Sequence, residues 1–241
     1  MRNIALIMRR ELLAYVRTPS GYIIAALILL FEAVVFNAYA VGSEPRPSTE
    51  VLLRFLEVSG GTTIVAAVLF TMRLLAEERA SGTHVLLFTS PIREGEVVLG
   101  KYLASLSFII VLILMSLYLP ALIFVHGKVS YGHIASGYLG MILLGATTLA
   151  VGMLASSLVK HPFLAVLLAG AFAAMLEISW FASAIADEPL KDILGYFAPY
   201  YRHYQPFRRG IVQLSDVVFF LTVIYFSLLA STRVLKSQRW Q

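Results

Sequence analysis

The sequence predicts an all-α integral membrane protein with six transmembrane helices, and three observations carry this prediction. Hydrophobic residues make up 59% of the 241 residues and charged residues 14%, whereas an average soluble domain has about 45–50% apolar and about 25% charged residues. Six mostly apolar runs approach the roughly 20 residues that a helix needs to cross the hydrocarbon core. These runs are apolar on every face, whereas the strands of a membrane β-barrel would alternate.

The six predicted spans cover residues 22–41, 58–75, 102–125, 134–159, 162–186 and 217–234. The second span contains Thr62, Thr63 and Thr71 and ends at Arg73, so we expect it to face other helices rather than lipid. Small residues recur every four positions in the fourth and fifth spans, a spacing typical of close helix packing in lipid. They are Thr148, Gly152 and Ser156, and Ala165, Ala169 and Ala173.

Residues 1–20 predict an interfacial helix ahead of the first span. One face carries Ile4, Met8, Leu12 and Tyr15, and arginines occupy another face, as in a helix that lies along a membrane surface. The segment 18–21, Thr-Pro-Ser-Gly, is expected to end this helix. The apolar run that follows is longer than the 7–15 residues of a signal peptide, which favours an uncleaved span.

The basic residues predict that both termini lie in the cytoplasm. With the N-terminus inside, twelve of the 19 lysines and arginines fall in inner segments and seven in outer segments. Such a bias is typical of cytoplasmic loops in membrane proteins. The net charge of +5 is therefore attributed to topology rather than to nucleic-acid binding.

Residues 77–101 form the sizeable inner loop between the second and third spans. Gly82 is expected to end the preceding helix, residues 83–88 can form a short amphipathic turn, and Ser90-Pro91 offers an N-cap followed by a first-position proline. A short helix held across the end of a bundle can dock on a soluble partner. A solvated loop without a partner is the alternative.

Three motifs in this loop carry a resemblance to a known family. They read Glu77-Glu78-Arg79-x-x-Gly82-Thr83, Leu86-Leu87-x-Thr89-Ser90-Pro91 and Val98-Leu99-Gly100-Lys101. This pattern resembles the same loop in ABC-2 type transporter permeases. The C-terminal segment around Phe207-Arg208-Arg209-Gly210 resembles the branch associated with gliding motility and multidrug export. The resemblance implies one ABC-2 transmembrane domain over residues 1–241, located in the bacterial cytoplasmic (inner) membrane.

The resemblance also implies a division of labour between subunits. This chain would be the permease of an ATP-binding cassette exporter, paired with a second copy or a homologue and surrounded by membrane lipids. An extracytoplasmic accessory protein is a further partner left open. The sequence contains no G-x-x-x-x-G-K-[ST] phosphate loop, so we expect ATP and Mg to be bound by a partner subunit, with no cofactor and no enzymatic activity here. By resemblance, the residues that couple to this ATPase are Glu77, Glu78, Gly82, Thr83, Leu86, Leu87, Thr89, Ser90 and Pro91.

Residues 187–215, between the fifth and sixth spans, are rich in aromatic residues and prolines. Aromatic residues beside arginines can stack on bases, but between two spans they more often form an interfacial belt. ABC-2 relatives place short half-helices here as a lid on the outer side. By that resemblance the outer gate comprises Tyr196, Tyr200, Tyr201, Arg209 and Gly210.

Two acidic residues, Glu32 and Glu177, lie inside predicted spans. A charged carboxylate at a helix centre costs roughly 2.5–3.5 kcal/mol on insertion scales, so each should face the bundle, pair or stay protonated. A functional role and a structural hydrogen bond to a neighbouring hydroxyl are both left open. A proton or ion channel that uses these two residues is the alternative function.

Other classes of function have weaker support in the sequence. The five histidines show no H-E-x-x-H pattern and cysteine is absent, so we expect no metal site and no catalytic residues. The sequence therefore contains no recognisable set of catalytic residues that would support a membrane-embedded enzyme. A permease that transmits ATP-driven movement to outer partners, instead of transporting a substrate, stays open, as does the substrate itself.

Overall fold

The computed structural model describes residues 2–42, 46–80, 82 and 92–238. Helices dominate these ranges, which contain no strand. In chain order the helices are α1 Arg2–Arg17, α2 Pro19–Val35, α3 Ser48–Phe70, α4 Ala76–Ala80, α5 Glu94–Met115, α6 Tyr118–His126, α7 Tyr131–Leu158, α8 Pro162–Ile185, α9 Leu190–Tyr196, α10 Gln205–Arg208 and α11 Leu214–Gln238. π-Helical turns extend α2 over Phe36–Val41 and precede α10 over Pro199–Tyr204.

Six stretches are long and apolar enough to cross a membrane, which confirms the predicted fold class. They are Gly21–Val41, Ser48–Ala80, Glu94–Val125, Tyr131–Leu158, Pro162–Ile185 and Leu214–Gln238. We call the end of the bundle that carries α1 and α4 the α1 end. The opposite end carries α9 and α10.

The helices that contain the second and third predicted spans begin before the predicted span borders. α3 begins at Ser48 and includes Arg54 and Glu57, and α5 begins at Glu94 and includes Lys101. The predicted spans excluded these charges, whereas in the fold they form ion pairs with other side chains. The third span is also broken between α5 and α6. Pro120 explains this break, because proline removes a helical N–H and clashes with the carbonyl four residues earlier.

α7 forms the centre of the bundle. Of its most apolar stretch, 78% is buried, against 17% for the span of α2 and 11% for α8. The predicted small-residue stripe explains how neighbours approach so closely, because a Cβ built on Gly152 would lie 2.0 Å from Thr71 Cγ2. The Ser156 hydroxyl accepts the backbone N–H groups of Leu75 and Ala76 at 3.0 Å each. This contact satisfies donors at the start of α4 that have no partner within the helix.

The predicted orientation of the second and fifth spans agrees with their burial. Thr62, Thr63 and Thr71 are all buried, so α3 and the 3₁₀ turn after it face other helices. Ala165 and Ala169 are the buried positions of the alanine stripe on α8. Apart from the buried Ser183, the rest of α8 is exposed or half-buried, as expected for a helix at the rim of the bundle.

α1 packs along α5, and its predicted apolar face points toward the bundle. Tyr15 is buried and its hydroxyl lies 2.7 Å from Ser105 Oγ. Ile7, which lies next to the predicted apolar face, is also buried. Gly100 of α5 leaves room for its side chain. α1 ends at Arg17 and α2 begins at Pro19, with Thr18 in an extended conformation between them. The predicted helix break at this point is confirmed.

Candidate functional site

An ionic cluster joins three helices at the α1 end. Lys101 Nζ of α5 lies 3.2 Å from Glu11 Oε1 of α1 and 3.0 Å from Glu78 Oε1 of α4, and its side chain is only 3% exposed. Arg10 Nη2 approaches the same two carboxylates at 2.9 and 3.2 Å, but its side chain is 63% exposed. Glu78, one of the predicted coupling residues, thus ties α4 to α1 and α5.

The charges of this cluster set the protonation state of Glu11. Burial disfavours the charged carboxylate, but Lys101 and Arg10 outweigh it and hold the pKa of Glu11 below its ordinary value of 4.5. Ionised Glu11 therefore stabilises the packing of α1 fully above pH 4.5, and this contribution disappears as the pH falls through the lower folded-state pKa.

We expect this titration to appear in the thermal stability of the protein. The Tm of the wild type should fall as the pH drops below about 4.5, and Glu11→Gln should fall less steeply because it has no proton to bind. Thermal unfolding in detergent between pH 3 and 7 measures the difference. Parallel curves for the two proteins would show that Glu11 does not contribute.

The other residues of the Glu-Glu-Arg motif have separate partners. Glu77 Oε2 lies 3.6 Å from Arg73 Nε, so this local pair joins α4 to the 3₁₀ turn that follows α3. Arg79 donates through Nη1 to the carbonyl oxygen of Val159 at 3.2 Å and through Nη2 to Gln238 Oε1. The end of α4 is therefore bound to the ends of α7 and α11.

Gly82 ends this segment as predicted. Its φ of +72° is in the left-handed region that glycine adopts without strain, and its N–H donates to the carbonyl of Arg79. The remaining predicted coupling residues lie outside the described part of the chain: Thr83, Leu86, Leu87, Thr89, Ser90 and Pro91. Their role stays a prediction.

α5 begins at Glu94, so the predicted start at Ser90-Pro91 is wrong. Arg93 is the N-cap, and Glu96 Oε2 accepts its backbone N–H at 3.2 Å. Asn3 of α1 donates to the same carboxylate oxygen at 3.1 Å. This local cap, together with a contact from α1, fixes the first turn of α5.

A short helix defines the opposite end. The turn Pro199–Tyr204 continues into α10, and we call the two together the tyrosine half-helix. Tyr200 and Tyr204 donate their hydroxyls to the carbonyl oxygens of Glu57 and Leu56 on α3, at 2.7 Å each. The rings can reach this backbone only because Gly60 is a glycine, since a Cβ there would lie 2.4 Å from the Tyr204 ring.

α7 holds the far end of the tyrosine half-helix. Ser136 Oγ donates to the carbonyl of Phe207 at 3.0 Å, and His133 Nε2 hydrogen-bonds the carbonyl of Arg208. These contacts satisfy carbonyls in the last turn of a helix, which have no partner within it. Gly140 allows the close approach of Phe207, because a Cβ there would lie 2.6 Å from the Phe207 Cβ.

Glu177 of α8 binds the beginning of the same half-helix. Its Oε1 accepts the backbone N–H of Tyr200 at 3.1 Å. A carboxylate at this position is favourable, because the first-turn N–H groups lack helical partners and carry partial positive charge. The observed donor is thus a main-chain N–H rather than the hydroxyl that the sequence suggests. Glu32 is buried separately, beside Thr63 and Ile109 in a small cavity between α2, α3 and α5.

A buried histidine that sequence reasoning missed links the half-helix to its neighbours. His203 Nδ1 lies 2.8 Å from Asp216 Oδ1 of α11, and Nε2 lies 2.9 Å from the carbonyl oxygen of Tyr196. The ring stacks on Phe219 with centroids 3.7 Å apart. No spacing rule connects His203 and Asp216, so only the aromatic and polar richness of this segment hinted at the pair.

The predicted outer-gate residues lie in three places. Tyr200 and Tyr201 lie in the tyrosine half-helix, where Tyr201 stacks on Trp180 of α8 with centroids 5.9 Å apart. Tyr196 is half exposed at the end of α9. Arg209 and Gly210 lie beyond the half-helix in a turn, where Gly210 adopts a φ of +82°. The structure thus contains two short helices between the last two spans.

The described residues at the two ends of the bundle do not form a metal centre. Among the residues that the structure describes, no group of three or more histidine, aspartate or glutamate side chains is placed to hold a metal ion. The ionic cluster and the tyrosine half-helix are instead built from contacts between helices.

Comparison with known proteins identifies the family. A family model described as ABC-2 family transporter protein matches residues 5–236. A comparison with curated protein sequences returned no match. Permeases of this family are membrane subunits that work with an ATP-binding subunit. The chain therefore belongs to the ABC-2 family of transporter proteins, as a multi-pass membrane permease subunit of an ABC transporter.

Proposed function

We propose that this chain couples ATP hydrolysis by a separate nucleotide-binding subunit to export across the bacterial cytoplasmic membrane. It acts with a second permease, either another copy or a homologue, and does not itself hydrolyse ATP. The α1 end faces the cytoplasm, in keeping with the excess of basic residues in the segments on that side. Family membership gives no support to the alternative of an ion channel.

One observation carries the proposal, namely the anchoring of both borders of residues 83–91. On one side, Glu78 pairs with Lys101 of α5, and Arg79 binds the ends of α7 and α11. On the other side, α5 begins at Glu94 and contacts α1 through Asn3 and Glu96. A force that an ATPase exerts on this loop would therefore reach four helices through short, direct contacts.

The tyrosine half-helix is the proposed gate at the opposite end. It contacts α3 through two tyrosine hydroxyls, α7 through backbone carbonyls and α8 through Glu177. A relative movement of these three helices would change the position of the half-helix. This geometry supports a gate that responds to movements of the bundle.

The coupling role of the loop can be tested with two pairs of variants. Gly82→Pro removes the left-handed φ that the turn requires, whereas Gly82→Asn retains it, because asparagine tolerates this conformation. Leu86→Asp places a charge on the predicted docking helix, whereas Leu86→Met keeps it apolar. The tagged protein is purified in mild detergent, its partners are identified by mass spectrometry, and ATPase activity is measured in liposomes.

We expect an ATP-binding subunit to copurify with the wild type, Gly82→Asn and Leu86→Met. Gly82→Pro and Leu86→Asp should insert normally, but the stimulated ATPase activity should be at least tenfold lower than with the wild type. Equal stimulation by all five proteins would contradict coupling through this loop. Purification without an ATPase, together with ion conduction in liposomes, would favour the channel instead.

A further inference from the structure

His203 of the tyrosine half-helix is buried and uses both ring nitrogens for hydrogen bonds. Its side chain is 1% exposed. Nε2 lies 2.9 Å from the carbonyl oxygen of Tyr196 at the end of α9, and Nδ1 lies 2.8 Å from Asp216 Oδ1 of α11. A carbonyl oxygen only accepts hydrogen bonds, so the contact with Tyr196 requires a proton on Nε2.

The contact with Asp216 requires a second proton. An ionised carboxylate only accepts hydrogen bonds, and so does a ring nitrogen that carries no proton. The 2.8 Å contact between Nδ1 and Oδ1 therefore forms only with a proton between these two atoms. Asp216 lies in the first turn of α11, where the positive helix end favours an ionised carboxylate. The second proton accordingly belongs to the ring, and His203 carries a positive charge.

Asp216 is the charged side chain that pairs with His203 among the described residues. From α9, the ring of Tyr196 lies with its centroid 4.9 Å from that of His203. From α11, Phe219 stacks on the histidine ring. The titratable side chains that reach the half-helix from α3, α7 and α8 bind it elsewhere, namely Glu57 to the Arg208 side chain, His133 to the Arg208 carbonyl and Glu177 to the Tyr200 N–H.

Removal of one ring proton breaks one of the two contacts of His203. Without the proton on Nδ1, two acceptors face each other at Asp216, and without the proton on Nε2 they do so at the Tyr196 carbonyl. Asp216 Oδ2 is buried and has no hydrogen-bond partner among the described residues. Loss of the Nδ1 proton would therefore leave a buried carboxylate without its donor, which is unfavourable.

We propose that His203 is a pH-sensitive switch in the tyrosine half-helix. Its doubly protonated ring holds the half-helix against α9 and α11, and loss of one proton as the pH rises releases it. Histidine in water loses this proton at about pH 6.5, so above that pH the docked half-helix holds one proton more than the released one. The ratio of docked to released half-helix should then fall by up to about tenfold per pH unit. The inference rests on the contacts of His203 and does not depend on ATP-driven export.

Asp216→Asn tests the switch, because its amide can donate to a ring nitrogen that has no proton. A neutral ring then keeps both contacts, so docking should no longer depend on pH. His161→Gln is the control, because it removes an exposed histidine at the α1 end. In a Trp240→Phe background, Trp180 emission reports docking through the stacking of Tyr201 on Trp180. It is recorded in liposomes between pH 6 and 9.

Nitrogen-15 NMR of the histidine-labelled proteins in the same liposomes measures the protonation of the ring, and His203→Gln assigns the signal. In the wild type and His161→Gln, we expect a doubly protonated His203 at pH 7.5 and a change in Trp180 emission as the pH rises further. Asp216→Asn should have a neutral ring at pH 7.5 and constant emission.

Three results would overturn the proposal. The first is a neutral His203 ring in the wild type at pH 7.5, and the second is constant emission of the wild type up to pH 9. The third is the same change in emission in Asp216→Asn as in the wild type, because the change would then arise from another group.

Discussion

Replacing Lys101 by methionine is expected to lower the free energy of unfolding by about 3 kcal/mol. Methionine preserves most of the length of the side chain but removes the buried positive charge. Glu11 and Glu78 then face each other without their closest buried counter-ion, since both contact Lys101 within 3.2 Å. The cost arises because two partly buried carboxylates lose the one buried positive charge between them, while Arg10, their other cation, is 63% exposed. Unfolding in mixed detergent micelles measures the change.

Arg10→Met is the matched control for this experiment. Arg10 contacts the same two carboxylates, but its side chain is 63% exposed, and exposed ion pairs contribute only about 0–1 kcal/mol. Addition of Glu78→Gln to Lys101→Met should restore part of the loss, because it removes one of the two negative charges that would then repel each other. Equal losses for Lys101→Met and Arg10→Met would show that burial does not determine the strength of this cluster.

Glu177→Leu is expected to detach the beginning of the tyrosine half-helix. The backbone N–H of Tyr200 would lose its acceptor, and an unsatisfied buried donor costs about 1–3 kcal/mol. Glu177→Gln keeps a carbonyl oxygen at this position and should behave almost as the wild type. Tyr201 stacks on Trp180, so Trp180 fluorescence reports the detachment. The second of the two tryptophans is removed by a Trp240→Phe background.

The two substitutions of Glu177 also separate its structural role from proton conduction. A hydrogen-bond role predicts altered Trp180 emission and lower stability in Glu177→Leu but not in Glu177→Gln. A role in carrying protons predicts that both variants lose activity equally, because neither can bind and release a proton. Met175→Leu on the exposed side of the same helix is the control and should leave emission and stability unchanged. Unchanged emission in Glu177→Leu would contradict the hydrogen-bond role.

Hydropathy predicts the fold class here because a bilayer leaves a spanning segment few alternatives to an apolar helix. It does not predict where α3 and α5 begin, for a specific reason. Glu57 and Lys101 are charged residues that end an apolar run in sequence, yet each is compensated by a residue far along the chain. Such pairing is a tertiary property, so local composition cannot reveal it.

The candidate sites are predictable from the sequence to different degrees. Glu78 belongs to a family motif and pairs with Lys101. Lys101 also pairs with Glu11, which lies 90 residues before it in the chain, and no recognisable spacing links Glu11 to Lys101. Glu177 is recognisable in the sequence as an acidic residue inside a span. Its partner is the backbone N–H of Tyr200, which the sequence does not mark, because every residue except proline has a backbone N–H. A sequence can therefore indicate that such a carboxylate needs a partner without identifying it.

The central position of α7 has a consequence for biosynthesis. Its two ends hold both functional regions, through Ser156 at the α1 end and Ser136 at the other. The helix that packs most extensively against it, α11, is translated only after α8, α9 and α10. Until α11 has been synthesised, the small and polar face of α7 lies in the membrane without that neighbour. A nascent chain that stalls before Leu214 would therefore present this face to insertion factors and quality-control proteases.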